Sequence, residues 1–92
     1  MKTKSLKVDA VQCPHCLDVL FCRYEHDLHG CSCGAIAVDL SGPHLRVLWK
    51  STRPRRCNVI VDESDLKGSG ICGCQFEVKE GETYEIKVFA KK

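Results

Sequence analysis

Four cysteines in the first part of the chain form two close pairs of potential metal ligands. Cys13 and Cys16 are followed, after 14 residues, by Cys31 and Cys33, which gives the pattern C-x2-C-x14-C-x-C. Two thiols separated by one or two residues can reach the same ion from one tight turn, and structural zinc takes four such ligands in tetrahedral geometry. Gly34 suits the positive φ of such a turn. The sequence therefore predicts a structural zinc site with no ligand position left open for hydrolysis.

The second half of the chain repeats part of this spacing. Cys57 precedes Cys72 and Cys74 by the same interval of 14 residues. Either Cys22 or His44 could complete a second zinc site, with four thiolates in the first case and three thiolates and an imidazole in the second. Three other interpretations remain open, namely apolar cysteines buried on strands, a disulfide formed after lysis, and a redox-active thiol pair. We therefore expect one zinc ion, or two if the second site forms.

The cellular compartment decides between zinc and disulfides for the eight cysteines among 92 residues. Residues 1–7 (MKTKSLK) are not followed by the apolar run of a secretory signal or a membrane span. We therefore expect a cytoplasmic protein in a reducing environment, where paired thiolates favour zinc. A chain this short buries little surface, so a metal would also supply the stability that its core lacks.

Histidine and aspartate occur together between the two cysteine pairs. His26-Asp27-Leu28-His29 could orient an imidazole through a carboxylate, as in catalytic sites and around metals. The same residues could instead cap the turn of a ribbon hairpin, which is the commoner role of such side chains.

A basic stretch lies between Asp39 and Asp62, where the chain has no acidic residue. Its positive side chains and its tryptophan are Arg46, Trp49, Lys50, Arg53, Arg55 and Arg56. Arginine and tryptophan suit phosphates and stacked bases, and they are equally typical of protein interfaces. The alternation of Leu45, Val47 and Trp49 favours a third interpretation, in which Trp49 is buried in the core beneath a solvated basic loop.

Most of the chain has the alternating or continuous apolar pattern of short strands, and no segment has a helical period over 11 residues. A single helical turn is expected near residues 62–67. Phe76–Val78 and Thr83–Ala90 flank a turn that uses Gly81, which predicts an antiparallel hairpin. The fold class is therefore mostly β, with a small zinc-ribbon-like half (1–50) followed by a β-hairpin module (51–92). The two halves can also pack as one domain.

Part of the sequence resembles a family of small, uncharacterised zinc-ribbon-like proteins of bacteriophages and prophages. The resemblance rests on Cys13-x-x-Cys16, on His26-Asp27 and on CSCGAIAVD at 31–39, and it covers residues 11–46. The chain departs from the family at residues 40–44 (LSGPH), where a glycine pair and a tyrosine are usual. The resemblance implies zinc on the four cysteines and an origin in a phage or in bacterial cytoplasm, but it implies no activity.

These features predict a non-enzymatic, zinc-stabilised interaction protein that is phage-encoded. We expect it to bind and inhibit a protein of the bacterial host, such as a component of defence or transcription, and not a membrane. The alternative is a zinc ribbon that binds nucleic acid through residues 46–56. A thiol redox enzyme using Cys72 and Cys74 is a third hypothesis.

Overall fold

Two β-sheets form the frame of the protein in a computed structural model that describes residues 5–42, 44–64 and 70–89. The elements are β1 (Ser5–Gln12), β2 (Val19–Leu20), β3 (His29–Gly30), β4 (Ile36–Ser41), β5 (His44–Trp49), β6 (Arg55–Asp62), β7 (Ile71–Cys72), β8 (Thr83–Glu85) and a short helix α1 (Ile86–Phe89). The predicted mostly-β fold is confirmed. Among the described residues, no helix has the length and apolar composition that crossing a membrane requires.

The larger sheet has five strands in the order β7-β2-β1-β6-β8, and the smaller sheet has the order β3-β4-β5. Strands β1 and β6 pair antiparallel along their whole length, from Ser5 opposite Asp62 to Gln12 opposite Arg55. Strand β1 belongs to residues 1–50 and β6 to residues 51–92. Backbone pairing at the centre of the larger sheet therefore joins the two halves of the chain.

Both faces of the larger sheet are covered, because successive side chains of a strand point to opposite faces. Ala10 faces one buried cluster and its neighbour Val11 faces the other. The first cluster, which we call the C-terminal core, contains Ala10, Val19, Phe21, Cys57, Val59, Val61, Val78 and Phe89. The second, which we call the knuckle core, contains Val11, Cys13, Leu20, Cys22, Cys31, Ile36, Val38 and Leu45. The smaller sheet and α1 therefore lie on opposite faces of the larger one.

The C-terminal segment differs from the predicted hairpin. The turn before β8 is present, with Gly81 at φ 81°. Strand β8, however, pairs in parallel with β6, with Asn58 opposite Thr83, whereas residues 76–78 form no strand. Residues 86–89 are helical, and Ala90 lies outside the described residues. Residues 65–67 of the expected helical turn also lie outside them.

The buried side chain of Gln12 explains why residues 76–78 do not pair with β8. Its Nε2 donates to the carbonyl oxygens of Phe76 at 2.8 Å and Leu17 at 3.1 Å. Its Oε1 accepts the backbone N–H of Val78 at 2.9 Å. These bonds occupy backbone groups that a hairpin would have used. Gln12 thus attaches the C-terminal segment to the end of β1.

Replacing Gln12 by leucine is expected to destabilise the metal-loaded protein by about 3 kcal/mol. The change leaves the buried N–H of Val78 and the carbonyl of Leu17 without Gln12 as their partner, and it removes one of the two hydrogen bonds to the Phe76 carbonyl. Each group left unpaired costs roughly 1–3 kcal/mol when water cannot replace it. Urea unfolding checks the effect, with Gln75→Leu as the control because Gln75 is exposed. Equal unfolding midpoints for the two variants would contradict the role given to Gln12.

Candidate metal centre

The first cysteine pair lies in a tight turn at the end of β1. The backbone N–H of Cys13 donates to Asp18 at 2.9 Å, and the carbonyl of Cys13 accepts from Leu17 at 2.9 Å. The N–H of His15 points at the sulfur of Cys13, at 3.4 Å. Leu17 closes the turn at φ 64°, an unusual conformation for leucine that the sequence did not indicate. The turn places Cys13 and Cys16 on the same side.

The second pair lies in a similar turn between β3 and β4. The N–H of Cys31 donates to Ile36 at 3.0 Å, and the N–H of Gly34 donates back to Cys31 at 3.1 Å. Gly34 has φ 80°, which confirms the expectation for this glycine. In both turns the first cysteine bonds to the carbonyl five residues ahead. Two equivalent turns therefore present the two thiol pairs.

The four sulfur atoms meet at one point. All lie within 4.8 Å of one another. The sulfur of Cys33 is 3.5 Å from that of Cys13 and 3.5 Å from that of Cys31. Four thiolates around a zinc ion, with Zn–S bonds of about 2.3 Å, would lie about 3.8 Å apart. The four predicted cysteines could therefore hold a metal ion, and this all-sulfur set is compatible with zinc.

Cys13, Cys16 and Cys31 have shifted pKa values, and the shifts differ in direction. Burial raises the pKa of Cys13 to about 12 and also raises the pKa of Cys16. Burial acts in the same direction on Cys31, but hydrogen bonds from the Ile36 backbone and from neighbouring thiols lower its pKa to about 6. Cys31 is therefore suited to be a thiolate at neutral pH, while Cys13 and Cys16 keep their protons until a cation compensates the added charge.

Two contacts tie the turns to each other and to the basic stretch. A carboxylate oxygen of Asp18 accepts the backbone N–H of Ser32 at 3.0 Å and also the hydroxyl of Ser32. The exposed ring of His15 is hydrogen-bonded through Nε2 to the hydroxyl of Thr52 at 3.0 Å. The segment after β5 therefore passes beside the first cysteine turn.

The residues of the expected second site are not assembled in the same way. Among the residues that the structure describes, no group of three or more ligand atoms within 4.8 Å includes Cys57, Cys72 or Cys74. These three pack in or against the C-terminal core, and burial raises the pKa of Cys57 to about 11. Cys22 lies in the knuckle core on the other side of the sheet, while His44 is exposed on β5. Neither proposed fourth ligand joins the three cysteines.

A second cluster brings together Cys22, Asp27 and His29, whose ligand atoms lie within 4.8 Å of one another. Arg23 occupies both carboxylate oxygens of Asp27, with its Nη2 at 2.6 Å from Oδ1 and its Nε at 2.7 Å from Oδ2. The sulfur of Cys22 donates to the backbone carbonyl of Asp27 at 3.3 Å, and Nδ1 of His29 lies 3.1 Å from the same oxygen. Since Arg23 already neutralises the carboxylate, this cluster is suited to a hydrogen-bonded network rather than to a cation.

Asp27 has the capping role that sequence reasoning gave as one of two alternatives for the His26–His29 segment. Its carboxylate accepts the backbone N–H of Arg23 at 2.9 Å. The Arg23 hydrogen bond holds the pKa of Asp27 at about 2. Sequence reasoning did not single out Arg23, although its position four residues before Asp27 is a spacing typical of charge pairs in turns and helices.

The basic stretch divides between two elements. Arg46 lies on β5 with 60% of its side chain exposed, 3.8 Å from Asp39. Arg55 and Arg56 begin β6, and Arg55 is 3.5 Å from Glu77. Lys50 and Arg53 are exposed in the segment between β5 and β6. The positive side chains therefore lie on β5, on β6 and in the segment that connects them, and two of them have acidic partners.

Trp49 is not in the core, contrary to the interpretation based on alternation. Its exposed fraction is 46%, equal to that of its neighbour Leu48. Leu45, at the start of β5, is buried, and Val47 is half-buried. The apolar face of β5 is therefore buried in the knuckle core at Leu45 and becomes more exposed toward Trp49. This leaves Trp49 and Leu48 exposed on opposite faces of the end of β5.

Comparison with known proteins relates the first half of the chain to a family model. Residues 5–49 match a domain of unknown function, DUF7695. The matched segment contains both cysteine turns and the whole smaller sheet. No curated protein and no solved structure matches the chain. The chain is therefore similar to DUF7695 over the segment that carries its metal-ligand cluster.

Proposed function

We propose that this protein is a non-enzymatic, zinc-stabilised interaction module that binds a partner protein through the end of β5. The exposure of Trp49 at the end of β5, next to Lys50 in the chain, carries the proposal. Tryptophan and arginine are the residues most enriched among interface hot spots. A partner that covers the exposed part of the Trp49 ring removes apolar surface from water, which favours binding.

Zinc in this proposal is structural and occupies Cys13, Cys16, Cys31 and Cys33. Four thiolates complete a tetrahedral shell, so neither water nor substrate has a ligand position. The burial of Cys13 and Cys31 and the backbone N–H of His15 beside the sulfur of Cys13 are typical of such closed sites. The chemistry of this site therefore supports folding and not catalysis.

Zinc affinity is expected to rise steeply with pH. The raised pKa values of Cys13 and Cys16 mean that both are protonated at neutral pH. Both must become thiolates to bind metal, so binding releases at least two protons and affinity rises about 100-fold or more per pH unit. Chelator competition at pH 7 and pH 8, corrected for protonation of the chelator, measures this slope. A pH-independent affinity would exclude thiols of raised pKa as ligands.

A protein partner is favoured over nucleic acid by the ion pairs of the basic stretch. Arg46 lies near Asp39 and Arg55 near Glu77, which reduces the charge that these arginines offer to phosphates. The remaining surface combines Lys50 and Arg53 with apolar side chains. Mixed surfaces of this kind are typical of protein interfaces, whereas phosphate binding favours unopposed positive charge.

The partner that we propose is a protein of a bacterial host. The resemblance of residues 11–46 to zinc-ribbon-like proteins of phages supports this choice, and it supports a cytoplasmic location. A small rigid protein without catalytic groups can alter a host enzyme or transcription component only by occupying its surface. Inhibition by binding is therefore the proposed mode of action.

Replacing Trp49 by alanine and Lys50 by glutamate is expected to abolish capture of the host partner. The two changes remove the exposed aromatic ring and reverse an adjacent charge, and hot-spot losses of this kind cost about 2 kcal/mol or more each. Affinity capture from bacterial lysate, with quantitative mass spectrometry, measures the effect. Lys87→Glu with Val88→Ala is the matched control, because Val88 is also exposed and α1 lies on the opposite face of the larger sheet.

A stoichiometric partner that the control variant retains and the Trp49 variant loses would support the proposal. Equal recovery by both variants would contradict it. The nucleic-acid alternative is tested by mobility shift of single- and double-stranded DNA at about 50 mM salt. Micromolar or tighter binding that weakens steeply with added salt would favour that alternative, because counterions are released from phosphates.

A further inference from the structure

Among the described residues, no strand pairs with the outer edge of β5. We propose that an extended acidic segment of the partner pairs with β5 as an additional strand of the smaller sheet. This inference rests on the proposed function and specifies the geometry and the charge of the bound segment. Strand addition obtains affinity from backbone hydrogen bonds and specificity from side chains of both strands.

Strand length distinguishes β5 from the other outermost strands of the two sheets. In the described part of the chain, the remaining edge strands β3, β7 and β8 have two, two and three residues, whereas β5 has six. Proteins usually keep their edge strands short, because an open edge invites pairing with another chain. Among the outermost strands, β5 is therefore the one best able to accept another strand; within the larger sheet, residues 5–10 of β1 also have no described strand on the side of β2.

The hydrogen bonds of β4 show which backbone groups of β5 are available. The carbonyl of Leu40 accepts from His26 at 2.8 Å, and that of Ile36 accepts from Cys31 at 3.0 Å. Both carbonyls therefore point away from β5. Because backbone groups alternate along an antiparallel pair, Ile36 and Leu40 belong to pairs that are not hydrogen-bonded to β5.

The register between β4 and β5 shows which residues of β5 belong to hydrogen-bonded pairs and which do not. Val47 lies opposite Val38 and Trp49 lies opposite Ile36, so neither uses its backbone groups to bond β4. The N–H and C=O groups of Val47 and Trp49 point instead to the outer edge. Arg46 and Leu48, in the alternate positions, bond β4. The end of β5 therefore has outward-pointing backbone N–H and C=O groups next to the exposed Trp49 ring.

The positive side chains beside β5 indicate what kind of strand can bind at this edge. Lys50 follows the available groups, Arg46 precedes them with part of its charge offset by Asp39 at 3.8 Å, and the chain has no acidic residue between Asp39 and Asp62. A second copy of β5 would bring positive side chains against positive side chains, which disfavours self-pairing. An acidic partner segment places opposite charges in these positions. The edge therefore fits an acidic strand better than a second copy of this chain.

The test uses dodecapeptides selected on the zinc-loaded protein from a random display library, followed by amide exchange measured by NMR. We expect the selected peptides to be acidic. Their affinity for the Trp49→Ala protein should be at least tenfold weaker than for the wild type, whereas Val88→Ala should change the affinity less than twofold. In the complex, the amides of Val47 and Trp49 should exchange at least tenfold more slowly. A protein with N-methylated Val47, made by ligation at Cys57, should bind at least tenfold more weakly.

The outcomes separate the two proposals. Peptides that need Trp49 but leave the Val47 and Trp49 amides unprotected would overturn strand addition and keep the proposed binding surface. Failure to select any peptide that depends on Trp49 would overturn both. Tighter binding of a dodecathymidine oligonucleotide than of the selected peptides would contradict a protein partner and indicate nucleic acid instead. Dimerisation of the free protein through β5 would contradict an acidic partner segment and indicate that a second copy of the chain binds this edge.

Discussion

Cys31→Ser is expected to remove the bound zinc and to unfold the chain. Cys31 is buried, and its sulfur lies among the other three of the candidate metal centre. The binding free energy of structural zinc, about 10–16 kcal/mol in small domains, exceeds or equals the total stability of most domains, about 5–15 kcal/mol. Loss of a thiolate ligand should therefore abolish the folded state at neutral pH.

Circular dichroism and zinc content of the purified variants measure this effect. Cys74→Ser is the matched control, since Cys74 lies outside the metal-ligand cluster and its sulfur donates to Phe76 at 2.9 Å, a bond that a serine hydroxyl can replace. The control should stay folded with its zinc. An equal loss of structure in both variants, or a folded Cys31→Ser protein without metal, would contradict a metal-dependent fold.

Asp27→Asn is expected to destabilise the zinc-loaded protein by about 3 kcal/mol at pH 7. Removing one member of a buried ion pair typically costs 3–5 kcal/mol, because the other charge stays behind without its partner. Asp27 is 3% exposed and Arg23 20% exposed, so the lower end of that range applies. Urea unfolding measures the loss, with Arg46→Ala as the control because the Arg46–Asp39 pair is more exposed and contributes less than about 1 kcal/mol.

The pH dependence of this contribution follows from the lowered pKa of Asp27. The ionised carboxylate is stabilised in the folded protein, with a pKa of about 2 against an ordinary 3.8. Its contribution is therefore complete above about pH 4 and is lost as the pH falls through 2. At pH 7 the difference between wild type and Asp27→Asn should be at its full value. Equal stability of the two would contradict the ion pair.

The cysteine pairs were predictable because their spacing alone restricts the geometry. Two thiols in one turn must point the same way, and Gly34 marks the position of positive φ. The mostly-β fold follows likewise from the short apolar segments. Residues of the knuckle core, such as Ile36 and Val38, alternate with more exposed neighbours, as a sheet with one buried face requires.

Other features depend on distant residues and have no local signal. The bonds of Gln12 to residues 76 and 78 span more than 60 positions, and they prevent the hairpin that residues 76–85 suggest by themselves. The exposure of Trp49 depends on where the knuckle core ends, which the alternation of β5 does not show. Cys57, Cys72 and Cys74 repeat part of the spacing of the first site. They nevertheless pack on the opposite face of the larger sheet from Cys22.

Native mass spectrometry of the metal-loaded chain tests the central claim that one zinc ion occupies Cys13, Cys16, Cys31 and Cys33. The expected result is one zinc per chain in the wild type and in Cys74→Ser, and none in Cys31→Ser. A wild-type chain without zinc, or zinc that Cys31→Ser retains and Cys74→Ser loses, would contradict the claim.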